Sequence, residues 1–171
     1  KYYSPSDLKA EIVEHNIINS FNTLHINISS LPYNFSDLQN LINMCSIDFK
    51  IIGISEPRIK QNKTTSSNIQ IPNYTIEQCP TESSTGGTLL YIKKDIIYKV
   101  RNDLKIYKSK ELESIFIETI KQNQKNIMAG CIYKHPHMEA YEFNHCYMDV
   151  LSEKLLKEKN KEVILMGDFN I

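Results

Sequence analysis

The apolar run Val163-Ile164-Leu165-Met166 breaks at Gly167 and hands over at once to Asp168, Phe169 and Asn170. A buried strand that ends in glycine and then presents a carboxylate, a ring and a carboxamide is how an α/β fold brings polar groups to the rim of its sheet. Three further runs share this grammar. Leu24-His25-Ile26 gives way to Asn27, Ile51-Ile52-Gly53-Ile54-Ser55 ends at Glu56, and Ile127-Met128-Ala129-Gly130-Cys131-Ile132 ends at Tyr133. Any one such ending is ordinary, because strands commonly finish in polar residues at the surface. Together they supply Asn, Glu, Tyr and Asp-x-Asn, the oxygen ligands and neutral hydrogen-bond donors that metal-assisted phosphoester hydrolysis uses.

Periodicity fills in the elements between these endings. Residues 5–18 carry Ser4 or Ser6 as an N-cap, with Leu8, Ile12 and Val13 on one stripe, and read as a short helix or a linker. A strand over 22–28 precedes a turn at Pro32 and a helix over 36–45 that buries Leu38, Leu41, Ile42 and Cys45. The nearly continuous apolar stretch 49–55 predicts a strand covered on both faces, and the Thr/Ser-rich stretch 61–68 predicts a loop. Strands follow over 74–78, 87–93, 96–101, 113–119 and 126–133 in a largely antiparallel series. A helix over 139–159 should turn Tyr141, Met148, Leu151 and Leu155 inward before a last strand over 162–166. Gly86 and Gly87 read as a turn entering a strand, since no helix start follows to make a phosphate cradle.

At 171 residues the chain suits one domain with a core of its own, and no internal repeat or domain boundary is apparent. Twenty Lys and Arg balance twenty Asp and Glu, so no global field steers the chain toward nucleic acid. Basic residues do gather locally, at Lys93, Lys94, Lys99, Arg101, Lys105, Lys108 and Lys110, either as phosphate contacts or as a solvated face. Cys45, Cys79, Cys131 and Cys146 form no C-x-x-C pair and read as reduced thiols of an intracellular protein. His135, His137 and His145-Cys146 follow no zinc-ligand spacing. Triplets of the glycosylation type start at Asn27, Asn34, Asn62 and Asn73, but neither a signal peptide nor a membrane span accompanies them.

Taken in order, the motifs Asn27-Ile28-Ser29-Ser30-Leu31, Ile52-Gly53-Ile54-Ser55-Glu56 and Gly86-Gly87-Thr88-Leu89-Leu90-Tyr91-Ile92-Lys93 open a family pattern. Leu112-Glu113-Ser114-Ile115-Phe116-Ile117-Glu118, Tyr133-Lys134-His135-Pro136 and Gly167-Asp168-Phe169-Asn170-Ile171 continue it. From about residue 20 onward the chain resembles the endonuclease/exonuclease/phosphatase superfamily, within it the apurinic-type endonuclease domains of non-LTR (LINE-like) retrotransposons. The resemblance implies an α/β architecture of the α+β four-layer type: two mixed, largely antiparallel sheets flanked by helices, with the second half truncated. It divides the chain into an N-terminal extension over 1–20 and a partial domain over 21–171.

The resemblance also implies roles. Glu56 corresponds to the carboxylate that binds Mg²⁺, with Mn²⁺ as the alternative ion, and Asn27 orders the metal and phosphate end of the site. Asp168 corresponds to the group that takes a proton from, or orients, the attacking water. Asn170 would hold that water or a phosphate oxygen, Tyr133 would donate to the phosphate or leaving oxygen, and Arg58 would touch phosphate. Departures stand beside these matches. Ser29 occupies a position where repair relatives carry a carboxylate, Pro57 replaces a Thr, and Lys134-His135 replaces the commoner Arg-Pro. Glu113 and Glu118 fit the pattern and read as structural strand-end residues.

What the resemblance implies of function is a nick in chromosomal DNA that leaves a 3′ hydroxyl for primed reverse transcription. The partners are then DNA and a polyprotein that includes a reverse transcriptase, with no membrane, and the location is nuclear. A phosphoinositide- or sphingomyelin-type phosphoesterase of the same fold and a decayed, non-catalytic copy remain the other readings. The chain begins with Lys and stops one residue after its last motif, as a segment of a longer reading frame would. No Asp-His dipeptide occurs in it, so the segment alone is expected to lack the family's catalytic His, to be inactive, and to be aggregation-prone.

Overall fold

A computed structural model describes residues 4–14, 20–60, 67–158 and 161–170. Helix α1 (Pro5–Glu14) leads into strand β1 (Asn22–Asn27), helix α2 (Leu31–Cys45) and strand β2 (Phe49–Ser55). After a 3₁₀ turn at Ser67–Ile69 come β3 (Tyr74–Cys79), β4 (Thr88–Lys93), β5 (Tyr98–Val100), β6 (Tyr107–Lys108), β7 (Leu112–Thr119) and β8 (Asn126–Lys134). A helical stretch made of α3 (Ala140–Glu142), a π turn (Phe143–Met148) and α4 (Asp149–Leu156) then returns the chain to β9 (Lys161–Asp168).

The strands form two sheets. One has the order β1-β2-β4-β3, and the other β5-β7-β8-β9 with β6 attached to β7. Pairing is antiparallel except for β1 with β2 and β8 with β9. Strand parity separates the faces. Ile51, Leu90 and Ile92 of the first sheet meet Ile115, Ile117, Ala129, Cys131 and Met166 of the second in a layer between them. The other face of the first sheet, with Ile52, Ile54, Leu89 and Tyr91, packs on Leu31, Leu38 and Cys45 of α2, and Leu8 of α1 joins there. The other face of the second sheet, with Phe116, Met128 and Ile132, packs on Phe143 and Leu151. The result is a four-layer α/β sandwich of two mixed sheets between helices.

Several expected boundaries move, each for a local reason. Helix α2 starts at Leu31 rather than near residue 36, because Pro32 sits in its first turn, where its fixed φ and missing N–H suit a helix start. Ser4 caps α1: its Oγ accepts from the Asp7 N–H at 3.2 Å and donates to the Asp7 carboxylate at 2.6 Å. The expected strand over 96–101 shrinks to Tyr98–Val100, and the two-residue strand β6 carried no period to read.

The long helix expected over 139–159 is interrupted by the π turn, which reverses the place of Tyr141. At about 100° per residue, Tyr141 and Phe143 would flank the Leu151 face equally. The π turn takes up about one extra residue. This brings Phe143 onto that face, where it is buried, and swings Tyr141 to the opposite side, where it is 75% exposed.

Tight packing fixes the second sheet. Phe116 lies directly across from Gly130 in register, and a Cβ on Gly130 would fall 2.2 Å from its ring. Among the described residues strand β9 lies at an edge of this sheet. On its helix-side face Val163 and Leu165 are 41% and 37% exposed. Among the described residues no helix is long and apolar enough to cross a membrane.

At one end of β7 a set of ion pairs ties the second sheet to the turn after α4. The buried Glu118 accepts from Arg101 Nη1 at 2.8 Å, Asn126 Nδ2 at 2.8 Å and Lys161 Nζ at 3.0 Å, with Lys99 at 3.2 Å. Arg101 also forks onto Asp103 and reaches Glu158. Lys93 pairs with Asp48, and Lys108 with Glu111 and Glu142. Of the basic cluster seen in the sequence, Lys93, Lys99, Arg101 and Lys108 therefore hold carboxylates of their own chain.

Burial alone would raise the Glu118 carboxyl, but the bonds from Asn126, Lys161, Arg101 and Lys99 outweigh it and hold the group down to about 2. Its folded value lies below the ordinary 4.5, so its contribution is complete above that value and is lost as the pH falls toward about 2. Glu118→Gln is expected to lower unfolding free energy by roughly 3 kcal/mol at neutral pH in urea titrations. The variant should also lose less further stability than the wild type across that acid window. Equal stability of the two proteins at neutral pH would refute the assignment.

Candidate active site

Parallel pairing brings the C-terminal ends of β1 and β2 side by side, and likewise those of β8 and β9. All four ends open on one rim of the sandwich. Register completes the arrangement: Glu113, Tyr133 and Asp168 lie in one row across β7, β8 and β9, and Asn27 is aligned with Ser55 in the other sheet. Parity turns His25, Asn27 and Ser55 of the first sheet, and Glu113, Tyr133 and Asp168 of the second, into the layer between the sheets. Where its apolar contacts stop, these polar side chains begin.

Asn27 is the junction. Its Nδ2 donates to Glu56 Oε1 at 3.0 Å and to Asp168 Oδ2 at 2.7 Å, while its Oδ1 accepts the Ser29 N–H at 3.1 Å. One carboxamide thus draws a carboxylate from each sheet to the same point. Arg58 Nη2 donates to Glu56 Oε2 at 3.1 Å and to Ser29 Oγ at 2.9 Å, and Tyr133 completes the set with a hydrogen bond to Glu56. Burial pushes the Glu56 carboxyl up, but bonds from Asn27, Arg58 and Tyr133 prevail and hold it below the usual carboxylate range. The Tyr133 hydroxyl moves the other way, raised by burial first and then by Glu56, Asp168 and Glu113. It stays protonated, as a donor must.

The loop that carries Glu56 is clamped on both sides. The Ser30 and Leu31 N–H groups bond the Glu56 and Pro57 carbonyls at 2.9 and 3.0 Å, joining the start of α2 to the loop. From the other side, the Gly87 and Gly86 carbonyls accept the Glu56 and Arg58 N–H groups at 3.2 and 3.1 Å. Glu56 (φ 51°) and Arg58 (φ 54°) are both left-handed, and Glu56 precedes a proline, which narrows its choices further. Gly86 and Gly87 themselves have φ near 89° and 88°, as the turn entering β4 requires.

Asn170 is not drawn into this cluster. Its Nδ2 donates to the Lys134 carbonyl at 2.6 Å, and the buried Lys134 returns a bond from Nζ to the Asn170 carbonyl at 3.1 Å. Its own N–H reaches Asp168 Oδ1 at 3.3 Å, so backbone rather than side chain connects it to the site. Behind Asn27, His25 Nε2 meets Ser55 Oγ at 2.8 Å. Burial lowers the His25 pKa against an opposing pull from Asp168. Position alone could have found His25, since it lies two residues before Asn27 on the same strand and must share its face. No sequence signal marks the Lys134–Asn170 exchange.

Among the described residues no group of three or more His, Cys, Asp or Glu gathers as a metal cage. The donor set is a carboxylate pair with an attending amide. This suits Mg²⁺, which commonly takes one or two protein carboxylates and completes its octahedron with water and substrate oxygens. The nearby His135 is committed to Glu113 at 3.0 Å.

No protein-family model and no curated protein matches this sequence. The endonuclease domain of TRAS1, a telomere-specific non-LTR retrotransposon, superposes with a TM-score of 0.58 at 14% identity, over 86% of this chain and 59% of that one. TDP2 of D. rerio in complex with single-strand DNA product gives 0.60 at 9% identity, over 87% and 59%. The 3′ phosphatase NExo from Neisseria, bound to product DNA hairpin, gives 0.53 at 15% identity, over 87% and 56%. The chain thus spans less than two thirds of the length of each of these structures. In its two sheets, their flanking helices and the rim where strand ends converge, this chain has the endonuclease/exonuclease/phosphatase fold.

Proposed function

We propose that the chain is the N-terminal part of a Mg²⁺-dependent phosphodiester hydrolase, a DNA endonuclease of the type carried by non-LTR retroelements. The observation that carries this reading is the Asn27 carboxamide, shared between Glu56 of one sheet and Asp168 of the other. Glu56, with Asn27 beside it, would hold Mg²⁺ or Mn²⁺, which would supply positive charge against the charge that builds on a phosphate under attack. The chain's own groups divide the rest. Glu56, ionised and hydrogen-bonded, is the principal ligand, and Asn27 orients it. Asp168 takes the proton from the attacking water, and Tyr133 donates its hydroxyl hydrogen to a phosphate or leaving oxygen. Asn170 holds the same water or a nonbridging oxygen once its amide leaves the Lys134 carbonyl, and Arg58 lies where a phosphate would meet its guanidinium.

Support for DNA as the substrate comes from the neighbours, two of them bound to DNA products and a third the endonuclease domain of a retrotransposon. In the full-length protein the partners are then the DNA backbone and a reverse transcriptase. The nick supplies the 3′ hydroxyl for priming, and the protein works in the nucleus.

In a plasmid-nicking assay with Mg²⁺, the full-length protein should convert supercoiled to open-circular DNA. Glu56→Ala and Asp168→Ala should each slow this by about 10² to 10⁴ while leaving the melting temperature near the wild-type value. A folded wild-type protein that does not nick would overturn the proposal, favouring a lipid phosphoester or a decayed copy.

A second expectation concerns Asn27→Ala, which removes a bond that helps hold Glu56 below its ordinary range. The ionised form persists above the folded pKa and is lost as the pH falls through it. The acid limb of the variant's pH–rate profile should therefore lie at higher pH than that of the wild type. An unmoved limb would show that Asn27 does not set the state of Glu56.

A further inference from the structure

Beneath the rim lies a second acid–base pair that the proposed mechanism does not use. Glu113 and His135 are 0% and 3% exposed, and His135 Nε2 lies 3.0 Å from Glu113 Oε2. The same oxygen accepts the Gly87 N–H at 3.1 Å. The other oxygen, Glu113 Oε1, is buried and has no partner among the described residues. A fully buried carboxyl group with one oxygen unpartnered is costly to keep. Its position shows what it holds.

Two routes lead from this pair to Glu56. The first runs through the backbone: Glu113 fixes Gly87, and the Gly86 and Gly87 carbonyls bind the N–H groups of Arg58 and Glu56. The fit is close, since a Cβ on Gly86 would sit 2.7 Å from both Glu113 Oε2 and His135 Nε2. The second runs through side chains. The His135 ring stands edge-on to the Tyr133 ring, with centroids 4.7 Å apart, and Tyr133 hydrogen-bonds Glu56. His135 is itself anchored by its N–H to the Glu111 carbonyl at 2.8 Å.

From this convergence we infer that Glu113 and His135 are positioning residues: they hold the Gly86–Gly87 turn and the Tyr133 ring so that the left-handed Glu56 presents its carboxylate to a divalent cation. The inference rests on the hydrolase reading for its purpose, but it concerns cation binding and can be tested apart from turnover. Groups one step removed from a metal ligand typically change affinity by about 10- to 100-fold when removed.

Mn²⁺ binding to the full-length protein, followed by the loss of the free-ion electron paramagnetic resonance signal, gives the readout. His135→Ala and Glu113→Gln should weaken the Mn²⁺ Kd by about 10-fold or more with unchanged far-UV circular dichroism. His135→Gln keeps a side-chain N–H donor and should recover most of that loss, which a purely structural role would not predict. Should His135→Ala fail to fold, Glu113→Gln, nearly identical in shape, decides alone. Folded variants that bind Mn²⁺ as the wild type does would overturn the inference, even with DNA nicking intact in the wild type. A wild type that binds Mn²⁺ without nicking DNA would remove the nuclease reading and leave the positioning role to be judged on the Kd values. A wild type that binds no Mn²⁺ would overturn both.

Discussion

Everything at the rim depends on the apolar layer between the two sheets. Ile51, Leu90 and Ile92 on one side pack against Ile115, Ile117, Ala129, Cys131 and Met166 on the other. The approach is close enough that a Cβ on Gly53 would fall 3.2 Å from the Met166 methyl carbon. A strand has only two faces, so a slip of one residue in any strand would turn its whole apolar set away from the layer. The register that seals the layer is therefore also the register that aims Asn27, Tyr133 and Asp168. The packing of the layer thus also places the site.

The loops above that layer are held against their own preferences. Ser29, Ser30, Glu56, Arg58 and Asn170 are all non-glycine residues with positive φ, and all belong to the rim. Such conformations cost on the order of 1 to 3 kcal/mol each and persist only where the surroundings over-determine them. Here the surroundings are visible: the backbone bonds from Ser30 and Leu31 on one side and from Gly86 and Gly87 on the other leave the 56–58 segment little freedom. The strain is the cost of turning a carboxylate at the end of a buried strand back over the layer instead of out into water.

Much of this was legible in the sequence, because it follows from short-range pattern. Apolar runs that end in polar residues marked β1, β2, β8 and β9, and the same endings named Asn27, Glu56, Tyr133 and Asp168. Three things were not legible. The start of α2 was hidden because Pro32 reads equally as a turn or as a first helical residue. The outward swing of Tyr141 depends on a π turn that has no local signature. The diversion of the Asn170 amide to the Lys134 carbonyl depends on a backbone atom 36 residues away, which no spacing rule reaches. The same holds for Glu113 and His135, which by motif order alone read as a strand end and a departure from the family pattern. Only the register between β7 and β8 makes them a pair.

The two titrating partners at the centre of the site illustrate why the arrangement suits chemistry on a phosphate. Glu56 and Tyr133 are joined by one hydrogen bond, and their shifts are opposite, the carboxyl held low and the phenol pushed high. These are two views of one interaction, since the charge that the phenolic hydrogen stabilises on Glu56 is the charge that opposes ionisation of the phenol. Asp168 and Glu113 add to the same opposition at Tyr133. Ordinary carboxyl and phenol groups already titrate far apart, and this rim widens the gap. Around neutral pH one partner is therefore negative and the other a neutral donor. In the proposed reaction this difference suits Glu56 to holding a cation and Tyr133 to donating a hydrogen bond, with the proton of the water assigned to Asp168.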